Sequence, residues 1–246
     1  MFKINVVSLI PEIIEPVCNY GVIGKACQKG LVEISHINPR DFTLDNHNTV
    51  DDRPFGGGPG MVLKYEPIRD AIHYARKTLP NDSHEFVLSA KGKVFDNMTA
   101  YELSKTKGIL LVAGRFEGID ERVVENEISD QISVGDYILT GGEVAATVII
   151  DSVVRLIPGV LGHDDSSKDD SFMEGLLGFP QYTRPASIDK ISVPSVLLEG
   201  DHEAIRLWRL KQSLGTTWIN RPELIKKKNL TEEEKALLDE FISEKK

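Results

Sequence analysis

Short apolar runs rich in β-branched residues alternate with stretches of helical spacing over the first 160 residues. The helical stretches repeat apolar side chains every three to four positions, as Ile68, Ile72 and Ala75 do. Strands that alternate with helices in this order are typical of a mostly parallel α/β sheet. The pattern predicts strands at residues 3–9, 85–88, 109–113 and 131–134, and helices at residues 65–79, 119–128 and 143–157.

The chain changes character after residue 160. Residues 163–172 are polar, rich in Asp and Ser and without periodicity, which favours a mobile linker. Helical spacing returns at residues 202–214 and 231–243, and the second helix opens with Thr231 and Glu234 at the spacing of a capping box. We therefore expect an α/β domain at residues 1–160, a flexible linker at 161–173 and a small all-helical domain at 174–246.

Composition narrows the class of protein. The chain has 246 residues, 41% of them hydrophobic, and its first ten residues carry one charge in an apolar run too short for a signal peptide. No window approaches the ~18 to 20 uninterrupted apolar residues of a membrane span. Cys18 and Cys27 have no metal-binding spacing, and so few cysteines argue against structural disulfides. We expect a soluble, cytoplasmic protein with no membrane partner.

The net charge of −9 argues against nucleic-acid binding, which normally requires a basic surface. The distribution of charge weakens that objection, because residues 201–230 hold seven basic residues against three acidic ones. Within this segment, Arg206, Arg209 and Lys211 are candidates for phosphate contacts. Trp208 lies among them, and packing against the protein is favoured for it over stacking on a base.

Three glycine-containing segments are candidates for ligand binding: residues 51–61, 110–123 and 132–143. The first has four glycines in five residues, which let backbone amides approach a ligand, but an ordinary loop fits it equally well. It has neither the Walker spacing nor the GxGxxG spacing. The other two run from strand through a glycine turn to helix, where open α/β sheets bind ligands. Each alone suits a structural turn, and together they favour one pocket.

Two charged positions carry candidate chemistry. Arg155 is the lone cation in an apolar run, where it requires an anionic partner. A ligand and an i,i+4 pair with Asp151 are both open as that partner. Asp170 belongs to the sequence Asp169-Asp170-Ser171-Phe172, and an acidic segment of this kind is usually a solvated loop.

Six segments together resemble, in matching order, the tRNA (guanine-N1)-methyltransferase family. The resemblance covers nearly the whole chain. It implies a SPOUT-class α/β fold whose parallel-sheet domain carries a deep trefoil knot, an exception to the rule that chains do not thread loops. It further implies a homodimer that binds tRNA, not DNA, across both subunits. The segments are residues 51–61, 114–123, 133–143, 151–162, 170–172 and 206–215.

The resemblance also implies a reaction: methyl transfer from S-adenosylmethionine to N1 of the guanosine at tRNA position 37, just 3′ of the anticodon. Guanine N1 carries a proton, so a general base is required, and the resemblance assigns that role to Asp170 and the stabilisation of developing charge to Arg155. It implies Mg²⁺ as well, with Glu117 and Asp170 as oxygen ligands. The implied methyl-donor pocket consists of Leu88, Ser89, Gly92, Gly114, Glu117, Ser133, Val134, Gly135, Tyr137, Leu139, Gly141 and Gly142.

Two other functions fit parts of the pattern. A binding module that holds RNA or S-adenosylmethionine without turnover would not require both Asp170 and Arg155. A dinucleotide-dependent oxidoreductase would carry a glycine fingerprint after the first strand, whereas this chain continues there with Ser8-Leu9-Ile10-Pro11-Glu12. The residues present favour the methyltransferase.

Overall fold

The computed structural model of the protein describes residues 1–128, 130–162 and 170–245. The chain divides into two compact units, Met1–Asp164 and Asp165–Lys246. Most of the linker expected at residues 161–173 falls on residues 163–169, which lie outside the described residues.

A five-stranded sheet forms the centre of the first unit, with the strand order β2-β1-β6-β5-β7. Every neighbouring pair is parallel, which confirms the predicted sheet class. A separate antiparallel pair, β3 and β4, lies outside it. The strands are β1 (Phe2–Val7), β2 (Val32–Ile37), β3 (Asp51–Asp52), β4 (Val62–Leu63), β5 (Ser83–Val94), β6 (Gly108–Ala113) and β7 (Gln131–Ser133); the helices are α1 (Glu15–Asn19), α2 (Gly21–Gln28), α3 (Tyr65–Arg76), α4 (Asn97–Ser104), α5 (Glu121–Asn126) and α6 (Gly142–Val154).

The central strand β6 is buried along its whole length and separates two hydrophobic cores. Successive side chains of a strand point to opposite faces. Ile109 and Leu111 accordingly pack into one core with residues of α4 and α6, and Leu110 and Val112 pack into the other with residues of α3. Burial on both faces explains why this strand is a continuous apolar run rather than an alternating one.

The second unit is mainly helical, with α7 (His202–Asn220), α8 (Pro222–Lys227) and α9 (Glu232–Glu244). The capping box predicted at the start of the last helix is present, since Thr231 and Glu234 each bond to the other's backbone N–H. The prediction that this region is all-helical is wrong, because β8 (Ser187–Ile188) and β9 (Ile191–Ser192) form a hairpin there. The intervening Asp189 and Lys190 have φ of 54° and 67°, which suit a two-residue hairpin turn and not a helix.

None of the helices in the described ranges is long and apolar enough to cross a membrane.

One carboxylate ties α3 to the end of α5 in the first unit. Glu127, whose side chain is 10% exposed, accepts hydrogen bonds from Tyr65 Oη (3.0 Å), His73 Nε2 (2.8 Å) and Arg76 Nη1 (3.3 Å). Burial raises the pKa of Glu127, but the hydrogen bonds from His73 and Tyr65 and the nearby charges outweigh it and leave that pKa below its ordinary value. The ionised form of Glu127 is therefore the one that stabilises the fold.

Replacing this carboxylate by an amide tests that conclusion. Glu127→Gln should lower the free energy of unfolding by roughly 1 to 3 kcal/mol at pH 7, because it removes a charge that three donors share. The pKa of Glu127 is lower in the folded state than in the unfolded state. The extra stability of the wild type is therefore complete above the unfolded-state pKa of about 4.3, and it disappears as the pH falls through the folded-state pKa. Denaturant unfolding of both proteins between pH 7 and pH 3 measures it, and a difference independent of pH would contradict the assignment.

Candidate active site

A cleft of about 320 Å³ lies at the carboxyl ends of β6 and β7, beside residues 88–91 of β5 and the first turn of α6. Ligands of open α/β sheets bind at this edge. The family resemblance implied twelve residues of a methyl-donor pocket, and eleven of them line this one cleft. These are Leu88, Ser89, Gly114, Glu117, Ser133, Val134, Gly135, Tyr137, Leu139, Gly141 and Gly142.

Gly92, the twelfth, is not among the lining residues. It lies where the pairing of β5 with β7 shifts register, between Leu88 and Lys93. A Cβ atom at Gly92 would collide with the backbone of Gln131 and Ile132. Glycine is required here because two backbones approach closely at an irregularity in the sheet. Gly92 therefore keeps β7 against β5 and supports the cleft from within the sheet.

The first wall of the cleft is the loop of residues 114–118, and the glycine-rich segment braces it. The Glu117 amide donates to the Met61 carbonyl (2.9 Å), and the Leu63 amide donates to the Gly118 carbonyl (2.9 Å). Gly60 has φ of +88°, and a Cβ atom on it would lie 2.5 Å from Glu117 Cγ. The last residues of the 51–61 segment therefore support the loop of residues 114–118. The glycine-rich segment thus has a structural role.

The second wall is the loop of residues 133–142, which is held by contacts within itself. Ser133 Oγ accepts from the Gly135 amide (3.2 Å), and Gly135 has φ of +143°, a conformation that side chains disfavour. A Cβ atom there would lie 2.6 Å from the Tyr137 ring, whose hydroxyl donates to the Val134 carbonyl (3.0 Å). The Tyr137 side chain remains 56% exposed at the cleft, where it offers an apolar surface to a planar ligand.

The two walls meet where α6 begins. The Gly142 amide donates to the Gly114 carbonyl (2.8 Å), and the backbones of Arg115 and Gly141 pair as an isolated antiparallel bridge. Arg115 Nη1 also lies 2.9 Å from Glu143 Oε2. The sequence did not single out Arg115 or Glu143, because 28 positions separate them and no local pattern joins them.

Arg155 belongs to the first unit, at the C-terminal end of α6. Its side chain is half-buried, and its amide donates to the Asp151 carbonyl (3.3 Å). A cation at a helix C-terminus interacts favourably with the negative end of the helix dipole. The helix end therefore offsets part of the cost of a cation in this apolar segment.

Asp170 belongs to the second unit, where it is half-buried and lines a cleft of about 640 Å³ together with residues of α7. The segment that follows is a hydrogen-bonded turn, since the Phe172 amide donates to the Leu176 carbonyl (2.7 Å) and Ser171 Oγ accepts from the Gly178 amide (2.8 Å). Asp170 therefore begins an ordered turn beside a cleft, which distinguishes it from a fully solvated acidic loop.

The three cations predicted to contact phosphate have different surroundings within α7. Arg206 bonds to Glu203 and Glu233, and both carboxylates raise its pKa. Lys211 lies 2.7 Å from each of two carboxylates of α9, and its side chain is only 12% exposed. Arg209 is exposed and places its guanidinium 4.8 Å from the centre of the Phe179 ring. Two of the three charges are thus already partly neutralised.

The first unit is a parallel α/β sheet with a glycine-lined cleft at its carboxyl edge. Proteins of this α/β class bind a small organic ligand at the ends of their strands. A family model described as tRNA (Guanine-1)-methyltransferase TrmD matches residues 2–227, and the chain belongs to that family.

Individual relatives agree with the family model. The chain is 52% identical to a tRNA (guanine-N(1)-)-methyltransferase of Idiomarina loihiensis, over 98% of this chain and 96% of the relative. It is 50% identical to proteins of the same name from Shewanella frigidimarina and Vibrio campbellii, in each case over 98% of this chain and 97% or 98% of the relative. The similarity thus extends over both compact units.

The contact between the two walls can be tested through Gly142. A Cβ atom at this position would lie 2.8 Å from Ala113 Cα and 3.1 Å from the Gly114 amide nitrogen, so Gly142→Ala has to move α6 away from β6. We expect a loss of roughly 1 to 3 kcal/mol in the free energy of unfolding, the usual effect of overpacking. Gly162→Ala is the control, because a Cβ atom at Gly162 meets nothing within 4 Å. Equal stabilities of the two variants in denaturant unfolding would contradict the close approach.

Proposed function

We propose that this protein transfers a methyl group from S-adenosylmethionine to N1 of a guanosine in tRNA, at position 37 just 3′ of the anticodon. The observation that carries the proposal is the cleft: eleven residues from three separate sequence segments, assigned beforehand to a methyl-donor pocket, line one cavity at the expected edge of the sheet. Membership of the methyltransferase family and the names of its relatives support the same reaction.

The cleft suits a compact, bent donor. Its volume of about 320 Å³ lies at the lower end of the ~300 to 1,000 Å³ of small-molecule sites. Four of the lining residues are glycines, at positions 114, 135, 141 and 142, and without side chains they leave room for the adenine of the donor. The exposed ring of Tyr137 gives that base an apolar neighbour.

For the acceptor we propose that Asp170 takes the proton of guanine N1. Once that proton moves to the carboxylate, the N1 electron pair attacks the donor methyl group, the bond from methyl carbon to sulfur breaks, and S-adenosylhomocysteine leaves. Negative charge on O6 and N1 grows as the proton departs, and the fixed cation of Arg155 is proposed to stabilise it.

Mg²⁺ is a further proposal, with Glu117 and Asp170 as its carboxylate ligands. The described ranges contain no group of three or more His, Cys, Asp or Glu side chains suited to hold a metal. Mg²⁺ often keeps several waters and takes only one or two protein carboxylates, so a site of this kind need not be a protein cage.

We propose a homodimer that contains α6 in its interface. The helix is apolar on most sides, and its Val144 and Val148 are 45% and 43% exposed at i,i+4 positions. Ile138, in the loop before the helix, is 85% exposed. A helix that is apolar all round is normally buried, and a second subunit would cover this surface.

We also propose that the sheet domain carries the trefoil knot of the SPOUT class, that residues 161–173 link the two domains, and that the protein acts in the cytoplasm.

The direct test is incubation of the full chain with tritiated S-adenosylmethionine and unmodified tRNA, followed by nucleoside identification. We expect 1-methylguanosine at position 37 and no label in a tRNA with another base there. Label in another nucleoside, or donor binding without any methylated nucleoside, would overturn the proposal in favour of another substrate or of a binding module.

A substitution at Asp170 tests the general base. Asp170→Asn keeps the size of the side chain but loses its basicity, so single-turnover methylation with saturating tRNA should slow by roughly 10²- to 10⁴-fold while donor affinity stays unchanged. Glu174→Gln is the matched control, because Glu174 is a second carboxylate on the same cleft of the second unit. A rate within fivefold of wild type in Asp170→Asn, or equal losses in both variants, would remove this assignment.

The salt dependence of tRNA binding tests the cations of α7. Each phosphate neutralised contributes about 0.9 to the slope of log affinity against log salt. We expect Arg209→Gln to reduce the slope by about one, and Arg206→Gln to reduce it less, because Glu203 and Glu233 already bind Arg206. Filter binding over a series of salt concentrations measures both, and the reverse order would show that Arg206 exchanges its carboxylates for phosphate.

A further inference from the structure

A fully buried carboxylate lies behind the donor cleft without lining it. Glu143, in the first turn of α6, is 0% exposed. Burying an ionised carboxylate is costly unless charge and hydrogen bonds compensate it. Each of its oxygens has a partner: Oε2 lies 2.9 Å from Arg115 Nη1, and Oε1 accepts from Ser8 Oγ at 3.1 Å. A favourable interaction with the helix dipole would not require burial, since an exposed Glu at a helix N-terminus has it as well.

The two partners lie on different elements, and one of them, Arg115, lines the cleft. Arg115 follows Gly114 in the first wall, lines the cleft, and has a side chain that is 18% exposed. Ser8 follows β1 and is buried, and its Oγ also accepts from the Ile10 amide (3.1 Å). Glu143 itself stands next to Gly142 in the second wall. The chain Ser8, Glu143, Arg115 therefore joins the end of β1, the loop after β6 and the start of α6.

The ion pair also lies directly against the glycine turn of the second wall. A Cβ atom at Gly141 would lie 2.6 Å from Arg115 Nη1 and would collide with Glu143 Oε2. The backbones of Arg115 and Gly141 are paired as well. The guanidinium is thus held between the carboxylate and the Gly141 backbone, so the position of Arg115 sets the spacing of the two walls.

We propose that Glu143 is a positioning residue for the methyl donor: through Arg115 it holds the loops of residues 114–118 and 139–142 at the separation that the donor requires. This inference rests on the proposed function. Glu143 does not line the cleft, and it acts on the donor only through Arg115 and Gly141. Its loss should therefore weaken donor binding without removing a group that touches the ligand.

A purely structural role predicts a different result, and the chain offers a matched control for it. Glu127 is also a nearly buried carboxylate of the first unit with an arginine partner, but that partner, Arg76, does not line the donor cleft, whereas Arg115 does. If Glu143 serves stability alone, Glu143→Gln and Glu127→Gln should behave alike. If it positions the walls, only Glu143→Gln should affect donor binding.

The experiment compares both variants with the wild type, as full chains, at a temperature well below every unfolding transition. Isothermal titration with S-adenosylmethionine should give an affinity lower by about tenfold in Glu143→Gln, equivalent to about 1.4 kcal/mol, and within twofold of wild type in Glu127→Gln. Hydrogen exchange of the Gly142 amide, which bonds to Gly114, should accelerate only in Glu143→Gln.

Affinity within twofold of wild type in Glu143→Gln, or equal losses in both variants, overturns this inference and leaves the proposed function standing. A wild-type protein that does not bind the donor overturns both. If Glu143→Gln does not fold, Ser8→Ala decides the question, because it leaves Oε1 of the carboxylate without its hydrogen-bond donor and so loosens the group that holds Arg115. A loss of about threefold or more in donor affinity by folded Ser8→Ala supports the positioning role, and an unchanged affinity overturns it.

Discussion

The hydrogen bond from the Gly142 amide to the Gly114 carbonyl, 2.8 Å long, is the contact on which the arrangement of the cleft depends. The first amides of a helix have no partner within the helix, and here one of them binds the end of the central strand β6. The bond requires glycine, because a Cβ atom at residue 142 would press on the Ala113 backbone. The close approach fixes α6 against the sheet and places Arg115, Gly141 and Glu143 in contact.

Support for the two loops comes from different parts of the first unit. The loop after β6 is bound from outside by Met61 and Leu63, whereas the loop after β7 is held by its own Ser133, Gly135 and Tyr137. Both loops leave strands that are mostly buried, and hydrogen bonds fix the backbone of each loop at several residues. A preformed cleft of this kind loses little conformational entropy when a ligand binds.

Charge in the second unit shows how a basic sequence can serve structure as well as recognition. Arg206 and Lys211 bond to carboxylates of α9 and help to hold it against α7. An exposed ion pair such as that of Arg206 with Glu233 contributes little stability, so a polyanion can compete for that cation. The net charge of −9 is consistent with such pairing. Acidic residues are numerous enough to pair with cations that the sequence alone would assign to RNA binding.

The sequence by itself determined the parallel sheet, four of its five strands, the glycine-bearing strand ends and the capping box at Thr231, because these depend on periodicity and on spacings of a few residues. The sequence pattern did not predict β2 or the hairpin of β8 and β9, because their apolar runs are too short or too polar to be recognised. Only the tertiary structure decided that Gly92 lies where β5 and β7 approach closely, and that Arg206 binds carboxylates. It alone brought Glu143 to Arg115 and Ser8, partners 28 and 135 positions away, because no local pattern records which distant side chains a fold brings together.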